Sequence, residues 1–162
     1  MIQRAFDLSR LGVKVAHPET LRTPETVLAA TVRALRRRRV PFLVHGAWAL
    51  AAYGYARATE DFAFLVSIEA THVRRLEQAM EDLGAFRLKP AARTHVMYNA
   101  SGWRQDFSLE TPKRFAALRR RSSRRRFLRM TLPVISRQDL IRRKLARGTL
   151  QDRADVERLR GM

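Results

Sequence analysis

A chain of 162 residues falls within the size of one domain and is long enough to bury a core, so two independent units are not expected. It has no cysteine, which excludes disulfides, thiolate zinc sites and thiol nucleophiles and fits a reducing compartment. The formal net charge of +18 points to a polyanionic partner, and because lysine appears only at Lys14, Lys89, Lys113 and Lys144, the cations are nearly all arginine.

Thr23-Pro24-Glu25 reads as an N-cap, a proline at the first helical position and an acid in the first turn, which predicts a helix to about residue 39. The apolar run 40–44 is too short for a helix and rich in strand formers, and Gly46 closes it. Helix returns over 47–53, where Trp48, Leu50 and Tyr53 fall at helical spacing as core residues, and Gly54 stops it. A strand over 61–66 follows, then a helix capped near Ser67 that runs to about residue 83. Three strands are expected at 85–88, 95–99 and 103–109, with Ser101-Gly102 as a hairpin signal between the last two. Thr111-Pro112 repeats the cap-and-proline signature for a helix over 113–121. A short strand at 127–134 and helices at 137–146 and 150–159, capped by Ser136 and Thr149, complete an α/β order: a mixed sheet with helices packed on it and a C-terminal helix pair.

No stretch approaches the roughly 20 apolar residues that span a bilayer, and residues 1–10 mix charge with apolar side chains unlike a signal peptide, so a cytoplasmic protein with no membrane partner is expected. The run 119–126 contains Arg119, Arg120, Arg121, Arg124, Arg125 and Arg126, broken only by two serines. Like charges this dense repel one another unless something anionic lies across them, and a phosphate backbone does so. His17, His72 and His95 have no metal-ligand spacing, and His45 reads as a packed strand histidine.

The segment Phe42-Leu43-Val44-His45-Gly46-Ala47, followed by Tyr53-Gly54-Tyr55-Ala56-Arg57-Ala58-Thr59-Glu60-Asp61-Phe62-Ala63-Phe64, resembles the signature of the nucleotidyltransferases of the DNA polymerase beta superfamily. Within that superfamily it is most similar to the minimal enzymes that include the AbiEii-type toxins, whose helix ends in Tyr-Gly before Arg-x-Thr-x-Asp. The resemblance implies one nucleotidyltransferase-like domain over residues 1–162, with its motif-bearing core at about 23–110 and a basic extension with closing helices at about 111–162.

Phosphoryl chemistry gives the layout its reason. A glycine at a strand-to-helix turn lets backbone amides approach a phosphate, which implies nucleotide contacts at Gly46 and Ala47. Carboxylates at i and i+2 on a strand share a face and can hold one divalent ion, and a third from a neighbouring strand completes a two-metal site. The resemblance assigns metal and catalysis to Asp61 and Asp106, with Mg²⁺ or Mn²⁺ as cofactor and a nucleoside triphosphate as substrate. Arg57 and Thr59 are expected to brace the metal strand or contact phosphate.

At the second carboxylate position the chain carries Ala63, and Glu60 cannot replace it because it points to the opposite face. Two readings of Ala63 follow: a non-catalytic relative, or a form whose aspartate was replaced to silence the enzyme. The segment 135–146 with Gln151-Asp152-Arg153-Ala154-Asp155 resembles the family's closing helices, which implies a phosphate-facing Lys144 and acids that brace the helix pair. The implied activity is transfer of a nucleotide to RNA, tRNA in particular, with a cognate antitoxin as a further partner. A non-catalytic nucleic-acid or antitoxin binding module is the alternative.

Overall fold

The computed structural model describes residues 23–89 and 92–162, so expectations for residues 1–22, including the absence of a signal sequence, lie outside the described residues. The elements follow in the order α1 (Pro24–Arg37), β1 (Phe42–His45), α2 (Gly46–Ala52), β2 (Asp61–Ser67), α3 (Ala70–Asp82), β3 (Phe86–Leu88), β4 (His95–Ala100), β5 (Trp103–Glu110), α4 (Pro112–Arg121), β6 (Ser123–Phe127), β7 (Met130–Val134), α5 (Arg137–Arg147) and α6 (Leu150–Arg160). The strands form one mixed sheet of order β3-β4-β5-β2-β1-β7-β6. The pairs β2–β5 and β1–β7 are parallel and the others antiparallel.

Alternation along the strands divides the sheet into two unlike faces. One carries Phe42, Val44, Phe62, Phe64, Val66 and Phe107, all buried. On this face Phe64 stacks on Phe107 at 5.1 Å, Trp48 of α2 packs on Phe62 at 5.1 Å, and Thr31 of α1 donates to Gln105. The core lies here, under α1, α2 and α3. Cross-strand partners on the opposite face are His45, Ala63 and Asp106, with Asp61 beside Arg104 and His95 beside Ser108. Polar side chains are tolerated there because α4 and α5 cover that face only in part and leave a cleft.

The caps place the helices as the sequence predicts: Thr23, Thr111, Ser136 and Thr149 each accept from the backbone N–H three residues on. Three expectations need correction. The first helix ends at Arg37, and Arg39 turns the chain with φ 55°. Ser67 belongs to β2, and α3 starts at Ala70 behind Glu69. The single strand expected at 127–134 is a hairpin, β6 and β7, turning at Leu128 and Arg129 with φ of 49° and 60°. Arg124, Arg125 and Arg126 therefore lie in an outer strand of the sheet.

Candidate functional site

The cleft of about 690 Å³ lies between the polar sheet face and helices α4 and α5. Its floor is set by register. His45, Ala63 and Asp106 sit side by side on β1, β2 and β5, and Asp61 lies two residues before Ala63 on the same face. Gly46 begins α2 with φ +68°, a backbone favoured by glycine, and a Cβ built there would stand 3.0 Å from the Ala63 Cβ. The turn therefore needs glycine for its torsion and for its approach to β2.

Asp61 has both oxygens engaged: Thr59 Oγ1 donates to Oδ1 at 2.8 Å and Arg104 Nη2 donates to Oδ2 at 3.2 Å. Asp106 is in the opposite condition. Its Oδ1 is buried and finds no hydrogen-bond partner among the described residues, and burial pushes its pKa up, with the Asp61 charge acting in the same sense and His95 against it. His45 is half-buried, with its Nε2 atom buried and unpartnered among the described residues, and desolvation first, then neighbouring cations, lower its pKa to about 3. Its imidazole is neutral at physiological pH. Ser108 Oγ lies 3.2 Å from His95 Nε2.

The walls are cationic. Seven arginine and lysine side chains line the cleft against four aspartates and glutamates. Arg143 donates to Glu110, which Arg114 also approaches, while Arg121 and Arg142 converge on Asp139. Burial would raise the Asp139 pKa, but hydrogen bonds from Arg121, then Ser136 and Arg142, outweigh it and hold the carboxyl below its usual range. Arg114, Arg121, Arg142 and Arg147 keep side-chain exposures between 48% and 68%, so donors remain free for a ligand.

Behind the wall a buried ion network ties the motif loop to the helix pair. Arg57 clasps Asp155 with two bonds of 3.1 Å, and Lys144 Nζ donates to the same carboxylate at 2.6 Å. Lys144 is only 4% exposed. Asp152 receives Arg147 through two bonds and closes a capping box with Thr149. Of the nucleic-acid residues expected from the sequence, Arg124 and Arg126 extend on the cleft-side face of β6, level with Pro133 and Thr131. Arg125 faces the other way, its guanidinium 4.7 Å over the Tyr53 ring, and Arg121 gives Nε and Nη2 to Asp139. Arg104, Arg143 and His95 were absent from the expected set; for Arg104 the signal lay in its i−2 position to Asp106.

No protein-family model matches the chain, and no curated protein matches it. Solved structures do. The crystal structure of ANT(2″)-Ia in complex with adenylyl-2″-tobramycin superposes with a TM-score of 0.65 at 14% identity, covering 83% of this chain and 86% of that one. The chain has the nucleotidyltransferase fold. Lincosamide adenylyltransferase LnuA with bound lincomycin gives 0.62 at 13% identity over 82% and 94% of the two chains. An antigenic nucleotidyltransferase-like protein of Paracoccidioides brasiliensis gives 0.55 at 15% identity over 83% and 74%.

The nucleotidyltransferase fold implies divalent metal, and the residues present do not fit it. Among the described residues no three His, Cys, Asp or Glu side chains converge to hold an ion. The methyl of Ala63 stands between His45 and Asp106, and a guanidinium already occupies one oxygen of Asp61. The described residues contain no helix long and apolar enough to cross a membrane.

Proposed function

We propose that this chain is a non-catalytic phosphate-binding module on the nucleotidyltransferase fold, which holds a nucleotide unit of RNA in its cleft and transfers nothing. The observation that carries the reading is the pairing of an arginine-rich wall with a floor whose carboxylate cluster is broken at Ala63. Metal-free arginine contacts suit phosphate, since the planar guanidinium forks match its oxygens and stay charged. ANT(2″)-Ia binds adenylyl-2″-tobramycin and LnuA binds lincomycin. A cationic aminoglycoside would be repelled by a chain of net charge +18, which favours RNA, tRNA included, as the ligand. Gly46 and Ala47 line the cleft, which supports contacts from their backbone amides to phosphate. Lys144 serves as a brace in this reading, because reaching a phosphate would strip Asp155 of a buried partner.

The test is binding of single-stranded RNA and of tRNA across a range of salt. Affinity falls with a log–log slope of roughly −0.7 for each neutralised phosphate of a single strand. Replacing Arg124 and Arg126 together by Gln flattens the slope, and replacing Arg125, packed on Tyr53, does so less. An acidic antitoxin would compete for the same arginines. RNA binding that is absent or indifferent to salt overturns the reading.

A further inference from the structure

The geometry at Asp61 points to an internal substitute for a metal ion. Arg104 is the register partner of Asp61 on β5 and lies two residues before Asp106, so its side chain leaves the sheet on the cleft face. Its Nη2 donates to Asp61 Oδ2 at 3.2 Å while Thr59 holds Oδ1. A guanidinium has five N–H donors, and this one donates a single hydrogen bond among the described residues. The side chain is 49% exposed, which leaves the remaining donors facing solvent beside Asp61, itself a residue of the cleft lining. Its neighbour across β4, Asn99, accepts from Gly102 N with its side-chain oxygen and does not draw on the guanidinium.

A divalent ion held by a carboxylate would pair it with phosphate oxygens. A guanidinium can do the same, since it is a fixed cation that bonds a carboxylate on one edge and a phosphate on another. We infer that Arg104 takes the cation's place at Asp61, so that a nucleoside triphosphate binds this cleft without metal, bridged to Asp61 through the guanidinium. The inference rests on the cleft being a phosphate site. It goes further by naming the residue that makes the site independent of divalent ions. Magnesium then adds nothing at Asp61, and by neutralising the triphosphate in solution it weakens the attraction to the arginine wall.

The experiment is titration of ATP into the chain and into Arg104→Ala and Arg104→Lys, each in EDTA and in MgCl₂, with thermal melts to verify folding. The unaltered chain binds ATP at least as tightly in EDTA as in MgCl₂. Arg104→Ala loses about 10-fold in EDTA, the size of a hydrogen bond to a charged group. Because Asp61 is then released, magnesium improves binding by this variant, a reversal that a purely structural role for Arg104 would not produce. Arg104→Lys, a point charge without the fork, falls between the two. Binding by the unaltered chain that requires magnesium, or an Arg104→Ala affinity unchanged in EDTA, overturns the inference and leaves the phosphate-site reading intact. Absence of ATP binding in both buffers overturns the phosphate-site reading and the inference with it.

Discussion

Ala63 lies between two side chains whose burial favours their neutral forms, His45 on one side and Asp106 on the other. For His45 the consequence is a pH dependence of stability. Its folded pKa of about 3 lies below the ordinary value of 6.5, so as pH falls through 6.5 the unfolded chain gains a proton that the folded chain refuses. Stability from this group is present above about pH 6.5 and is lost progressively toward pH 3, at up to ~1.4 kcal/mol per pH unit. Urea unfolding at pH 7 and pH 5 measures the loss, and His45→Leu is expected to remove this contribution. At this scale the sequence was partly legible. His45 was readable as a packed strand histidine, and the break at Ala63 was visible because the motif around it is intact. The engagement of Asp61 by Arg104 was not, since it depends on a parallel pairing between strands more than 40 residues apart, the separation being that of the two residue numbers.

Among the elements, α5 and α6 bury charge as well as apolar side chains: Lys144, Asp152 and Asp155 beside Leu140, Val156 and Leu159. Asp155 accepts from Lys144, Arg57 and Gln151, and those hydrogen bonds outweigh the burial that would raise its pKa and depress it instead. Asp155→Ala leaves the Lys144 ammonium buried without that partner and is expected to cost about 3–5 kcal/mol in denaturant unfolding. Arg160→Ala, which removes an exposed pair with Glu157, is expected to cost less than about 1 kcal/mol and serves as the comparison. The two helices were legible because Ser136 and Thr149 are strong caps and Gly148 between them takes φ 71°. The hairpin β6–β7 was not, for two physical reasons. Its turn uses Leu128 and Arg129 at positive φ, where glycine or asparagine would have announced it. Its first strand is a run of arginines, which reads as a solvated charge run until β7 is seen to pair with it.

For the molecule as a whole, the sheet order brings residues from the middle strands into one floor and the closing helices into one wall; the fold is shared with ANT(2″)-Ia and LnuA at 13–14% identity, and among the described residues the floor gathers no three metal-ligating side chains. In the proposed reading, position 63 separates holding a nucleotide from transferring one. An aspartate there would share a face with Asp61 and stand beside Asp106, completing three carboxylates around the cleft floor. The most direct measurement is transfer of label from each of the four nucleoside triphosphates to total RNA and to protein, with Mg²⁺ or Mn²⁺, by the chain as it stands and by Ala63→Asp. The chain as it stands is expected to bind RNA and transfer no label, and Mn²⁺ is expected to leave its melting temperature unchanged while raising that of Ala63→Asp. Metal-dependent transfer by the unaltered chain, abolished by Asp61→Ala, would contradict the account.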